Sequence, residues 1–134
     1  MLVCRYLVLC DYVSEDPNGR ITLHGLFNRI NAVHFPVSHQ PFAVAFELAA
    51  LQTPVIDAQL TVQISLLSGN RAELMEISAH RVGIEAGEAI TTMVDLGEPI
   101  FGEPGDYRIR LLANDRPLAF RDLAVCQVSR PAEI

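Results

Sequence analysis

Between Leu9 and Phe27 the chain reads LCDYVSEDPNGRITLHGLF, which gathers Cys10, Asp11, Ser14 and His24 around one tight turn. A thiol within reach of an imidazole is a nucleophile with its base, and an acid behind the imidazole would orient it. Strand register decides whether these residues can meet. A type I turn on Asp16–Gly19 with Gly19 as a bulge pairs Asp16 with Arg20. That sets Leu9 opposite Phe27, Cys10 opposite Leu26, Tyr12 opposite His24 and Val13 opposite Leu23. Cys10 and His24 are then diagonal neighbours, about 7–8 Å apart at the backbone, too far for ready proton transfer. Asp11 falls on the other face, with Leu9 and Val13, and cannot orient that histidine. A competing two-residue turn on Asn18–Gly19 moves the register by one and parts Cys10 from His24 altogether. Neither register builds a triad. The stretch reads as a β-hairpin in which Cys10 packs as a small, half-buried residue.

Asp11 lies in an apolar run opposite Gly25. A carboxylate buried there needs a partner: backbone N–H groups, an arginine such as Arg29, or a ligand that approaches over the glycine. His24, His34, His39 and His80 do not form a recognised metal set. His34 and His39 flank Pro36 and could meet in a loop, but no local Cys or Glu completes a zinc site, and the histidine-plus-glutamate motif of metal-binding cupins is absent. The acidic stretch DLGEPIFGEPGD lacks the dense spacing of a calcium loop and reads as solvated turns. G-x-S-x-G, a glycine-rich nucleotide loop, H-E-x-x-H and C-x-x-C are all missing. All ten basic residues are arginine, which removes Schiff-base, PLP and P-loop lysine chemistry. No cofactor and no metal is expected.

The chain that must position these residues has 134 residues and a mass of 14.8 kDa, enough for one domain spanning 1–134 with an adequate core. Half of it is hydrophobic and 19% charged, which excludes disorder. A net charge of −6 and a pI near 5.1, with no basic, aromatic-studded surface, argue against nucleic acid. Charge is uneven: residues 46–106 carry ten acids against two arginines, and residues 107–134 five arginines against three acids. The opening MLVCRYLVLC has no basic leader region, Arg5 interrupts it, and no small-residue cleavage site follows. No apolar stretch reaches the ~18 residues of a membrane span. Cys4 and Cys10, on one strand roughly 20 Å apart, cannot pair with each other. With Cys126 they make an odd set of thiols, expected to be reduced in a cytoplasmic protein.

The hydrophobic period is two. Leu60, Val62, Ile64 and Leu66 alternate with polar residues, as do Tyr107, Ile109 and Leu111 with Arg108 and Arg110. Phe42, Val44, Phe46 and Leu48 alternate with smaller or polar residues, and Ile90, Thr92, Val94 and Leu96 form a weaker run. Hairpin turns are read at DPNG (16–19), SGNR (68–71) and ANDR (113–116). RAELMEISAHRV, 71–82, contains helix formers, but the turn before it favours a strand. HFPVSHQPF is a crossover loop. These signals predict an all-β, single antiparallel β-sandwich, immunoglobulin-like or jelly-roll-like, of eight or nine strands with hairpin connections.

The segments LCDYVSEDPNGRITLHGLFNRI, FPVSH and PGDYRIRLLANDRPL resemble a family of short, uncharacterised bacterial proteins. Its pattern is a strand ending in Cys-Asp (Cys10–Asp11), a strand with Gly-Leu-Phe (Gly25–Phe27), and a Phe-Pro loop with a histidine (Phe35–Pro36, His39). The resemblance implies a small β-sandwich and brings no activity. The closing stretch, a Pro-Gly and an aromatic before an alternating strand, recurs in many immunoglobulin-like and jelly-roll domains. The favoured expectation is a non-enzymatic module acting by contact with itself, as a homo-oligomer, or with another protein. Open strand edges would serve it, and so would an outward basic stripe of Arg108, Arg110 and Arg121 meeting the acidic middle. The alternative is a module binding a sugar or an anionic metabolite through Asp11, His24, His39 and those arginines. Third is an enzyme whose site the fold assembles from Asp11, His24 or His39.

Overall fold

A computed structural model describes residues 1–67 and 73–129, the side chains of residues 73, 74, 78 and 79 excepted. Eleven strands lie among them: β1 (Leu2–Glu15), β2 (Ile21–Phe27), β3 (Arg29–Ala32), β4 (Val37–Ser38), β5 (Ala43–Ala50), β6 (Val55–Leu66), β7 (Glu73–Ile84), β8 (Ala89–Asp95), β9 (Ile100–Phe101), β10 (Gly105–Ala113) and β11 (Arg116–Gln127). They form a sheet of order β2-β1-β5-β8, a sheet of order β3-β11-β10-β6-β7, and a ribbon of β4 with β9. Pairing is antiparallel apart from β3, which runs parallel to β11. The surplus over eight or nine strands comes chiefly from β4 and β9, two residues each, too short for alternation to announce. β7 settles the ambiguous 71–82 stretch as strand from Glu73 onward. The SGNR turn lies outside the described residues.

The alternating runs supply the core between the sheets. Phe42, Val44, Phe46 and Leu48 from the β5 region meet Leu60, Val62 and Ile64 of β6 and Tyr107, Ile109 and Leu111 of β10, all buried. Burying these side chains is the main favourable term in folding, about 25 cal/mol per Å² of apolar surface. The chain order places β1, β5 and β8 where strands A, B and E of an immunoglobulin sandwich lie, and β6, β7, β10 and β11 where C, C′, F and G lie. At the foot of β10 the Tyr107 hydroxyl donates to the Glu103 carbonyl oxygen at 2.6 Å. This is the tyrosine corner of that class, and it decides between the two sandwich types the sequence allowed.

Two hairpins form as their turn residues dictate. At the first, Gly19 (φ +80°) donates to the Asp16 carbonyl and Asp16 N–H to that of Arg20, both at 2.9 Å. The Asp16 carboxylate accepts from the N–H groups of Asn18 and Arg20 and from Arg20 Nε, each at 2.9 Å. Asn114 (φ 50°) and Asp115 (φ 67°) make the second turn, between Ala113 and Arg116, as a type I′ hairpin needs.

On the outer side of the first sheet, Cys10, Ala43 and Ala45 are fully buried although they face away from the main core. Val13 and Leu23, from the hairpin arm, pack onto them together with Val8 and Met93. The arm beyond Cys10 thus covers part of its own sheet. This is why β5 has small residues between its large ones: both of its faces are covered.

Candidate functional site

The hairpin has the register expected of the three-residue turn: Leu9 opposite Phe27, Cys10 opposite Leu26, Tyr12 opposite His24, Val13 opposite Leu23. Cys10 is sealed, and burial pushes its thiol up, reinforced by the Asp11 and Asp95 carboxylates. It has no thiolate to offer at neutral pH. Cys4 is also raised, mainly by burial.

His24 stacks face to face on Tyr12, centroids 4.1 Å apart and planes 9° apart. Its Nε2 lies 2.7 Å from Ser14 Oγ. Ser14 is the other diagonal neighbour of His24, opposite Thr22 as Cys10 is opposite Leu26. The same register that set Cys10 aside could have flagged Ser14, because strand twist draws one diagonal pair together and the other apart. A serine with a histidine is half of a hydrolytic machine. The remaining parts are an acid on the second ring nitrogen and donors for an oxyanion. Nothing among the described residues hydrogen-bonds the other ring nitrogen of His24, and Asp11 leaves from the opposite face. The stacking on Tyr12 and the bond to Ser14 join β2 to β1 across the arm.

Asp11 corrects an expectation. It is exposed, with neither ion pair nor hydrogen bond among the described residues, Arg29 included; Arg29 Nε bonds Asn31 instead, at 3.0 Å. Its apolar neighbours do pack, Leu9 into the main core and Cys10 and Val13 into the outer cluster, while the strand bends so that the Asp11 carboxylate lies exposed over Gly25. The space over Gly25 is already filled: a Cβ at Gly25, whose φ is +71°, would overlap Asp11 Oδ2 and lie 2.7 Å from Cγ.

His39 sits half-buried near β4, stacked on Phe27 (5.9 Å) and edge-on to Phe42 (5.3 Å), with Nδ1 2.6 Å from the Gln40 carbonyl oxygen. No contact joins it to His24 or Asp11. Among the described residues no three His, Cys, Asp or Glu side chains converge as a metal site would need.

The arginine stripe is also corrected. Arg108 and Arg110 do share the outer face of the second sheet. Arg108 grips Asp122 through Nε (2.8 Å) and Nη2 (3.1 Å) and lies 3.9 Å over the Phe120 ring; Arg110 Nη1 bonds Ser65 Oγ at 2.6 Å. Arg121 pairs across from Ile109, a core residue, and so points to the opposite face. Alternation along β11 forbids a stripe containing both Asp122's partner and Arg121.

Arg121 reaches the side of the sandwich instead. There, where β2 leaves β1, Val8, Leu9, Leu26, Phe27, Asn28 and Arg121 line a cleft of about 170 Å³. Among the described residues Arg121 has no hydrogen bond or ion pair, and Leu26, which lines the same cleft, is 63% exposed. β2 itself is bonded to β1 on one side and, among the described residues, to no strand on the other. A larger cleft of about 680 Å³ lies at the arm, lined in part by Tyr6, Glu15, Arg20 and Thr91. No helix among the described residues is long and apolar enough to cross a membrane.

Fold and geometry together define an immunoglobulin-like β-sandwich with an open sheet edge beside a small cleft of mixed polarity. The chain belongs to a family of unknown function, DUF6941, whose model matches residues 5–126. Among curated proteins nothing matches its sequence. Among solved structures it resembles the Pseudomonas fluorescens alkylpurine DNA glycosylase AlkC, determined bound to DNA containing an abasic site analogue. The TM-score is 0.61 at 13% identity, covering 93% of this chain and 30% of the glycosylase. The chain thus spans under a third of that enzyme, and the likeness is of fold alone. An immunoglobulin-like protein from Pseudomonas aeruginosa aligns over 93% of this chain and 96% of its own, at 17% identity and a TM-score of 0.48.

Proposed function

We propose that the protein is a non-catalytic sandwich module that works by contact between polypeptides, through the free edge of β2. The observation that carries this reading is the edge itself. Ile21–Phe27 reads ITLHGLF: no charge and no proline guards it, whereas exposed edges are usually blunted by such residues. Antiparallel alternation directs the backbone groups of Leu23 and Phe27 away from β1, free to bond an added strand. Ser14 with His24 lacks an acid on the second ring nitrogen among the described residues, and Arg108 is taken up by Asp122.

The test is an amide-resolved NMR spectrum of the protein under reducing conditions, followed over a dilution series and on addition of extended, strand-forming peptides. The amides of β2 are expected to respond to one or the other, and Leu26→Lys, which places a charge on the edge, to abolish the response. Unmoved β2 amides in both series would end the reading.

A further inference from the structure

We infer that the β2 edge takes an extended segment of a partner protein that carries a large apolar side chain and, two residues away, a carboxylate. This deepens the contact reading above and rests on it. The argument starts from the cleft at the end of that edge. Four of its six lining residues, Val8, Leu9, Leu26 and Phe27, have apolar side chains, and its volume of about 170 Å³ leaves room for one large side chain at a surface that is open to water. A strand laid along β2 would drop one side chain into it, as added strands do when alternate side chains fill pockets beside the edge.

The polar side of the cleft sets the second requirement. In a chain of net charge −6, Arg5, Arg20, Arg81 and Arg108 all form ion pairs. Among the described residues Arg29 and Arg110 bond neutral partners instead, and Arg116 and Arg121, both exposed, have no side-chain partner; of these two only Arg121 stands at the rim of this cleft. Residues i and i+2 of a strand project from one face about 7 Å apart, the separation needed for one side chain to enter the cleft and the next on that face to reach the guanidinium. A planar, permanently charged fork suits a carboxylate there.

The occupant is therefore not a second β2. That strand contains no carboxylate, so a two-fold edge pairing would leave Arg121 unanswered. The bend at Gly25, with its positive φ, also interrupts the edge and leaves a short straight run beside the cleft. Backbone bonds alone give such a run little affinity, so the side-chain contacts decide which segment binds.

The experiment uses the whole protein and the acetylated, amidated peptide Thr-Val-Thr-Leu-Thr-Glu-Thr-Val, with versions carrying Gln or Lys for the Glu or Ala for the Leu. Binding is followed by amide shifts of β2 and by the Arg121 Nε–H signal, which registers even millimolar affinity. The parent peptide is expected to bind about tenfold more tightly than the Lys version. The Ala version should also be weaker, and Arg121→Gln should erase the preference for Glu. Equal shifts at β2 for the Glu, Gln and Lys peptides would overturn the acidic requirement while leaving strand addition standing. A dimer through β2, seen in sedimentation and broken by Leu26→Lys, would overturn the partner segment in favour of self-association. Silence at β2 with every peptide and at every concentration would overturn both this inference and the contact reading.

Discussion

The Tyr107 hydroxyl donates to the Glu103 carbonyl oxygen across 2.6 Å, from a side chain that is otherwise sealed. The bond ties the first turn of β10 to the loop after β9, and Phe101 packs edge-on to the ring at 5.0 Å. Burial pushes the hydroxyl pKa up, outweighing the opposing effect of the hydrogen bond, so the group stays a neutral donor. Tyr107→Phe keeps the ring and removes the donor to the part-buried Glu103 carbonyl. The expected loss is about 1–2 kcal/mol, read as a lower urea midpoint with an unchanged slope. An unchanged midpoint would mean that water serves the carbonyl as well as the tyrosine does.

Gly25 and Asp11 should be energetically coupled. Alanine at Gly25 must adopt φ +71° and displace a carboxylate that overlaps the new Cβ. Backbone strain of this kind costs about 1–3 kcal/mol, and the overlap adds to it. Asp11→Ala removes the overlapping carboxylate but leaves the strain, so Gly25→Ala is expected to be less harmful in that background. A double-mutant cycle by chemical denaturation measures the difference. Equal penalties in both backgrounds would show that the glycine does not exist to accommodate Asp11.

Much of this architecture was legible in the residues. DPNG announces a hairpin with two possible registers, and the bulged type I turn, one of the two, gives every pair observed from Leu9–Phe27 to Glu15–Ile21. Period-two runs named the core of β5, β6 and β10 because those strands have one large-residue face. Two things were not legible. Asp11 reads as buried because its neighbours are apolar, yet the arm bends away from the core at Gly25, and no local pattern states where a bend leads. The arginine stripe failed on parity: Arg121 is an odd-numbered neighbour of Ile109 across a hairpin whose register shifts at Leu111/Leu112. Alternation had to be counted through that bulge before faces could be assigned. The cleft itself joins β1, β2 and β11, and no single segment carries its signal.

Acid should weaken the fold through two identifiable carboxylates. Backbone and side-chain bonds from Arg20 hold Asp16 below its ordinary value of 3.8, and the Arg108 guanidinium does the same for Asp122. The unfolded chain lacks these partners and takes up its protons first, near 3.8. As pH falls through that value and on toward the lower folded-state values, the unfolded state binds more protons and stability drops. Above 3.8 the contribution is fully present. Asp16→Asn keeps an acceptor for the turn N–H groups but removes the charge, and Asp122→Asn weakens the grip on Arg108. Each variant is therefore expected to be less stable than the parent at about pH 6, and the gap is expected to narrow steadily as pH falls below 3.8. Urea midpoints at several pH values test this. A gap that stays constant down to the lowest pH would show that the loss comes from shape rather than charge, and would remove these two ion pairs from the account of acid sensitivity.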